Sequence, residues 1–177
     1  MAEPPSGLPS LFPGARPLAP AASPELLEVR SNILAKRWTE AADLIEAQLE
    51  KRPRDPQWRF MQAVLFAEIG KRNEAITVFE LLTEDFPELA EPYNNLAALY
   101  IEGGELHRAR LLLERAIQNR PDYALAHENL GDVYARLAKQ SYLQASKSRQ
   151  PAPSVGIKLD YLDKMPALRS TRVLTNR

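Results

Sequence analysis

The sequence predicts an all-α fold, a solenoid of antiparallel helix pairs that recur every 34 residues. Four series of residues share this spacing. They are the prolines 53, 87 and 121, the alanines 41, 75 and 109, the small or medium residues Val29, Ala63, Ala97 and Gly131, and the aromatic residues Phe66, Tyr100 and Tyr134. One period in four independent series is typical of repeat proteins, in which each repeat is one supersecondary element.

The stretch 90–123 shows the pattern of one repeat most clearly. Its helix A is predicted from about Glu91 to Ile101, and the apolar residues at i, i+3, i+4 and i+7 are Tyr93, Leu96, Ala97 and Tyr100. Its helix B is predicted from about Glu105 to Asn119, with an apolar stripe made of Leu106, Ala109, Leu113, Ala116 and Ile117. We expect Gly103 and Gly104 to form the turn between the helices with positive φ angles.

Small residues on both helices predict a close helix–helix contact. Ala97 on helix A and Ala109 on helix B have side chains small enough for the two axes to approach toward the lower end of the ~8–10 Å range. Tyr100 and Leu113 would fill the space beside them.

These residues resemble the signature of the tetratricopeptide repeat, and the layout resembles its small bacterial type. In repeat three the signature positions hold Tyr93, Leu96, Ala97, Tyr100, Ala109, Leu113, Ala116 and Pro121. The resemblance implies a right-handed superhelical solenoid of about 3.5 repeats, over 22–55, 56–89, 90–123 and 124–147. Repeat four opens with His127, Leu130, Gly131 and Tyr134, the best match to a helix A.

The two end repeats depart from the signature. Glu28 and Asn32 stand where Leu and Tyr belong, so we expect polar groups exposed at the amino-terminal end. No glycine follows Tyr134 before Ala145, so repeat four is predicted to be one long capping helix, about Leu125 to Ser146.

Proline-rich and basic segments flank the repeats. Residues 1–21 contain six prolines and predict a disordered arm, with a PxxP ligand at Pro17 to Pro20 as the alternative. Residues 148–177 carry a net charge of +4, against −4 in 22–147, and predict a flexible tail with at most a helical turn at Leu159–Leu162. Folding of the tail onto the acidic repeats, or its contact with nucleic acid or lipid, are the alternatives.

Composition excludes several classes of function. The chain has no cysteine, which rules out disulfides and thiolate chemistry, and no apolar run of the roughly 18 residues that spans a membrane. The net charge of zero does not favour nucleic acid as a partner. The amino terminus as written lacks a signal peptide and predicts the cytoplasm, with the periplasm as the alternative if the true start lies upstream.

The sequence offers no catalytic, cofactor or metal motif. Its two histidines, His107 and His127, are interpreted as a solvent-facing and a packing residue, and neither has a partner at ligand spacing. Gly103-Gly104 lacks the Lys-Ser/Thr of a phosphate-binding loop. We therefore expect no enzyme activity, no cofactor and no metal ion.

The resemblance places a binding groove on the helices A. Carried over, its lining includes Leu26, Arg30, Phe60, Val64, Glu68, Glu91, Asn94, Ala98, Ile101, Glu102, Leu125, Glu128, Asp132 and Arg136. The lining changes from apolar to acidic along the chain, which favours a protein or peptide partner with an apolar anchor and basic residues. The alternative is that its acidic residues are ordinary solvated side chains.

A second form of peptide binding is excluded by the same positions. Members that grip a terminal carboxylate use lysines beside an asparagine. Asn95 and Asn129 occupy the asparagine position, but Phe60, Leu125 and Asn129 stand where the cations would be.

The predicted function is therefore a non-enzymatic interaction scaffold or adaptor. The alternatives are a structural oligomer that stacks through its end helices and an accessory subunit of an enzyme complex.

Overall fold

The computed structural model describes residues 23–165, and these residues form α-helices and no strand. Eight helices follow one another: α1 (Pro24–Leu34), α2 (Trp38–Lys51), α3 (Pro56–Glu68), α4 (Arg72–Asp85), α5 (Ala90–Glu102), α6 (Leu106–Asn119), α7 (Ala124–Ser146) and α8 (Ser154–Lys164). Two compact units divide them, an amino-terminal unit with α1–α4 and a carboxyl-terminal unit with α5–α8. The predicted all-α architecture of successive helix pairs is confirmed.

The turn between helices A and B repeats with the helices. Lys36, Gly70 and Gly104, each 34 positions after the one before, have φ angles of 57°, 80° and 78°. The next backbone N–H donates to the carbonyl five residues earlier in every copy, for example from Glu105 to Tyr100 over 2.8 Å. Gly103, also expected to have a positive φ, has a φ of −78° and is ordinary helical backbone.

The corresponding position of the fourth repeat explains the length of α7. Ala138 occupies it, and α7 continues through as one helix of 23 residues. A left-handed conformation costs an alanine roughly 1–2 kcal/mol that a glycine does not pay, so continued helix is favoured here. The helix agrees with the predicted span of about Leu125 to Ser146, and its capping role remains a prediction.

In the amino-terminal unit, α1 contacts α2 and α3, and α3 also contacts α2 and α4. The ring of Phe60 on α3 meets that of Phe79 on α4 edge-on, with centroids 5.6 Å apart. Asp55 caps α3 by accepting hydrogen bonds from the N–H groups of Gln57 and Trp58. The expectation for Asn32 was wrong: it is buried, because its Oδ1 accepts from the Arg37 guanidinium at 2.7 and 2.9 Å.

In the carboxyl-terminal unit, α5 packs on α6, and α7 contacts α5, α6 and α8. Ala97, Ala109 and Leu113 are fully buried, as expected for the helix–helix contact. Every residue of α5 from Ala90 to Ile101 is buried.

The prediction of a flexible carboxyl-terminal tail was wrong over α8. Val155 is buried and Leu159 and Leu162 are half-buried, at i, i+4 and i+7 on one helix face. α8 packs with α7, and Lys139 pairs with Asp163 across the contact. Nearby prolines and basic residues hid this short stripe in the sequence. The predicted arm at 1–21 and the end of the tail, 166–177, lie outside the described residues.

Across residues 23–165, none of the helices has both the length and the apolar character needed to cross a membrane.

Candidate functional site

The predicted lining residues of the amino-terminal unit lie mostly inside it. Leu26, Phe60 and Val64 are buried, whereas Arg30 and Glu68 are half-buried. Burial lowers the pKa of Arg30. The apolar members of this set therefore contribute to the core of the unit.

In the carboxyl-terminal unit, the first predicted lining residue, Glu91, belongs to a buried ion pair. Its Oε1 lies 2.6 Å from Nη1 of Arg120, which ends helix α6. The Arg120 guanidinium also lies over the ring of Tyr123, 3.6 Å from its centroid. Burial, followed by the charge of Glu91, raises the pKa of Tyr123 well above its ordinary value. The Glu91 carboxylate is thus held within the fold.

Three buried asparagines form a polar cluster on α5 and α7. Nδ2 of Asn129 donates to Oδ1 of Asn94 over 3.0 Å, and both side chains are fully buried. The other amide atoms of this pair, Nδ2 of Asn94 and Oδ1 of Asn129, have no hydrogen-bond partner among the described residues. Both amide atoms of the buried Asn95 lack one too. The cluster therefore holds four unsatisfied buried amide atoms, which native proteins seldom tolerate without a reason.

The face of α7 beside this cluster is acidic. Glu128 is exposed and Asp132, one helical turn later, is half-buried. Burial and then the charge of Glu128 raise the pKa of Asp132, while Arg136 opposes the shift. Glu128 and Asp132 are four residues apart and adjoin on one face of α7, whereas Asn129, next to Glu128 in the sequence, is fully buried. This arrangement can accept hydrogen bonds and bind positive charge.

The remaining predicted lining residues differ in exposure. Ala98 and Ile101 on α5 and Leu125 at the start of α7 are buried, Arg136 is half-buried, and Glu102 at the end of α5 is exposed. Of the predicted set, Asn94 belongs to the asparagine cluster, and Glu128, Asp132 and Arg136 follow one another at intervals of one helical turn on α7.

The sequence did not predict that Glu91 and Arg120 pair with each other, and it predicted the wrong environment for His127. Arg120 directly precedes Pro121, where helix B ends. This place in the repeat was the feature of the sequence that could have indicated its pairing with Glu91. The packing role expected for His127 was wrong, because it is exposed and its Nε2 bonds the carbonyl of Pro121 over 2.9 Å. His107 is exposed, as expected.

No metal-binding arrangement accompanies the cluster. Over the part of the chain that the structure describes, no three or more His, Asp or Glu side chains are grouped to hold a metal ion.

Comparisons with known proteins agree with this architecture. A family model described as TPR repeat matches residues 99–137, and one described as Tetratricopeptide repeat matches residues 35–90. The human protein Tetratricopeptide repeat protein 8 is 30% identical over 106 residues, which is 59% of this chain and 18% of that relative. The chain thus spans less than a fifth of the relative's length, and a bacterial origin remains a prediction. Such repeats are generally protein–protein interaction modules, and the chain is a member of the tetratricopeptide repeat family.

Proposed function

We propose that this protein is a non-enzymatic adaptor that binds an extended peptide segment of a partner protein. The binding surface lies on α5 and α7, over the buried residues Asn94, Asn95 and Asn129. The single observation that carries the proposal is the set of unsatisfied amide atoms in this buried cluster.

The energy of these atoms supports a binding role. An unsatisfied buried polar group costs about 1–3 kcal/mol, so a cluster serving only the fold would be more stable with apolar residues. Local violations of good packing are expected where a protein binds something. The amide atoms without a partner are N–H groups on Asn94 and Asn95 and oxygens on Asn95 and Asn129, and because all of them are buried, a ligand reaches them only when the surrounding side chains move.

Peptide backbone is the ligand that fits this set of groups. An extended peptide presents N–H and C=O groups in alternation, and amide side chains can pair with both. The partner then contributes main-chain hydrogen bonds at the cluster and side-chain contacts beside it.

Charge defines the partner further. Glu102 and Glu128 are exposed near the two ends of the surface and Asp132 is half-buried, so basic side chains complement it. The proposed partner needs no apolar anchor, although the sequence suggested one, because Phe60 packs on Phe79 within the other unit.

An array of random decapeptides, probed with the purified full chain, tests the proposal. We expect a subset of peptides to bind. Asn95→Leu should abolish that binding while leaving the free energy of unfolding unchanged or raised, because it removes two unsatisfied buried atoms.

Asn73→Ala is the matched control, since this asparagine is exposed on α4, far along the chain from the cluster. It should bind as the unmodified chain does. The proposal fails if no peptide binds, or if Asn95→Leu binds the same peptides with the same affinity.

A further inference from the structure

We propose that α7 binds an amphipathic helix of a partner protein, which packs on it in the way that helix B packs on helix A within a repeat. The site is the open face of α7, which consists of His127, Gly131 and Tyr134, all exposed. Asn129 is buried on another side of the same helix, since residues two apart on a helix point in nearly opposite directions. The open face is therefore separate from the surface proposed for peptide binding and does not depend on it.

The equivalent face in repeat three is covered. Gly131 and Tyr134 stand 34 positions after Ala97 and Tyr100 on α5. Ala97 is fully buried and Tyr100 is only 3% exposed, whereas Tyr134 is 48% exposed. A Cβ added at Gly131 meets no atom within 4 Å. The same signature residues are thus buried under a second helix in one repeat and open to solvent in the next.

The face is open because no helix folds back onto it within residues 23–165. In repeat three, α6 follows α5 after a tight turn and packs on it. In repeat four, α7 continues as helix through Ala138, and α8 contacts it further along. Lys139 of α7 pairs with Asp163, and Lys158 lies over the ring of Tyr142, 5.1 Å from its centroid. These contacts lie beyond the positions of the open face.

Gly131 is the independent observation that points to a ligand. A glycine within a helix destabilises it relative to alanine, so its presence there has to serve another purpose. Its φ is not positive, in contrast to Gly70 and Gly104, and no described neighbour approaches it closely enough to exclude a side chain. Neither the backbone nor the packing of this chain requires a glycine at 131. A helix from outside that approaches closely at this point would require one.

The helices B of the chain indicate the chemistry of the occupant. Ala109 and Leu113 of α6 are fully buried, and Arg108 lies over the ring of Tyr100, 4.0 Å from its centroid. In repeat two, Lys71 at the start of α4 lies 5.8 Å from the centroid of the Phe66 ring.

The ring of Tyr134 has no cation over it among the described residues. A cation near the start of a partner helix would be attracted to this ring, as the cations of the helices B are to theirs. The partner helix therefore carries a small residue to pack on Gly131, a leucine one turn later, and a lysine or arginine to cover Tyr134.

Disulfide trapping with a helix B from this chain tests the site. The probe is a synthetic peptide of residues 105–120 that carries Ala109→Cys. The full chain carries Gly131→Cys, which is then its only thiol, because the natural chain has no cysteine. In a glutathione redox buffer, a small-residue contact brings the two Cβ atoms within reach of a disulfide.

The control protein is Gly156→Cys, at an exposed helical glycine of α8 that also has no atom within 4 Å of an added Cβ. We expect the mixed disulfide at 131 to form about tenfold faster or more than at 156, because binding holds the reacting thiols together. Equal rates at the two positions would overturn the proposal.

Two changed peptides examine whether trapping needs the apolar stripe of helix B. Leu113→Asp in the peptide should reduce the rate at 131 to that of the control protein, since Leu113 is fully buried in the natural helix pair. Leu111→Asp is the matched control, because Leu111 is 58% exposed on α6, and should be trapped as fast as the unchanged peptide. A Leu113→Asp peptide that is trapped equally fast would also show that no helix packs there.

A second copy of the chain is the other occupant that the experiment can reveal. If Gly131→Cys without peptide links to itself faster than Gly156→Cys does, the open face binds another copy and the partner helix is wrong. Failure of any of these results leaves the peptide-binding proposal untouched, because that proposal is tested by Asn95→Leu at a different surface.

Discussion

Nη1 of Arg120 lies 2.6 Å from Oε1 of Glu91, and the two side chains are only 9% and 8% exposed. The residues are 29 positions apart, so the pair joins the end of α6 to the start of α5. Removing one member of such a pair leaves the other charge buried without compensation, which is the costly case for an ion pair.

Glu91→Gln is therefore expected to lower the free energy of unfolding by about 3–5 kcal/mol, measured by urea denaturation. Asp160→Asn is the control, because Asp160 pairs with Lys164 at the surface and the two side chains are 58% and 70% exposed. It should cost about 1 kcal/mol or less. Equal losses in the two variants would contradict the role assigned to burial.

The turn between helices A and B gives a prediction of opposite sign at two equivalent positions. Lys36 and Gly104 both have positive φ, and a Cβ added at Gly104 meets no atom within 4 Å. A glycine and a residue with a side chain should then differ in stability at these positions only through backbone strain. Lys36→Gly should raise the free energy of unfolding by about 1 kcal/mol and Gly104→Ala should lower it by a similar amount.

Thermal unfolding followed by circular dichroism checks both turn variants. Gly103→Ala is the control, since Gly103 has a negative φ and ends α5 in helical backbone. A loss at Gly103→Ala as large as at Gly104→Ala would show that strain at positive φ is not the cause.

Ala109 tests the close helix–helix contact in the carboxyl-terminal unit. It is fully buried on α6, so Ala109→Leu should overpack the contact and cost about 1–3 kcal/mol in urea denaturation. Leu111→Ala, on the same helix but 58% exposed, should change the stability by about 0.5 kcal/mol or less. A tolerated leucine at 109 would mean that the helices separate without cost.

The sequence predicted the elements that depend on local spacing. The helices begin and end at intervals of 34 residues because turn residues such as Gly70 and Gly104 recur at that interval. Helix α7 is long because Ala138 stands at the equivalent position of the fourth repeat. Pairings across helices could not be read in this way. The hydrogen bond between Asn94 and Asn129 depends on how α5 packs against α7, and the residue types alone do not predict it.

The environments of Asn32 and of the stripe on α8 were predicted wrongly for a related physical reason. A polar residue at an apolar position was expected to be exposed, but Asn32 is buried because Arg37 lies within hydrogen-bonding reach. The stripe on α8 has only three members, fewer than a periodic pattern needs to stand out from its prolines. The candidate site was predicted as a list of lining residues, and that list did not include Asn129, to which the packing of α7 on α5 joins Asn94.

Helix α8 should be detachable from α7 by one substitution. Val155 is buried against the unit, so Val155→Asp places an uncompensated charge in that contact. Hydrogen–deuterium exchange should show lost protection over 154–164 and little change in α5 and α6. Ile157→Asp is the control, because Ile157 is 60% exposed, and it should retain the protection. Protection that survives Val155→Asp would contradict the packing described for α8.

Asp132 predicts a pH dependence whose sign follows from its pKa. Burial and Glu128 raise this pKa above its ordinary value of 3.8, so the folded state binds the proton more tightly than the unfolded state. The stability that this group contributes is present below pH 3.8 and is lost as the pH rises through the folded-state pKa.

Asp132→Asn, which cannot ionise, should therefore be more stable than the unmodified chain at neutral pH. The difference should shrink as the pH falls toward 3.8, because the aspartate is then protonated as well. Urea denaturation of both proteins across this range measures it, with Asp122→Asn as an exposed control. A difference that stays constant with pH would show that neither burial nor Glu128 disfavours the ionised form of Asp132 in the folded state.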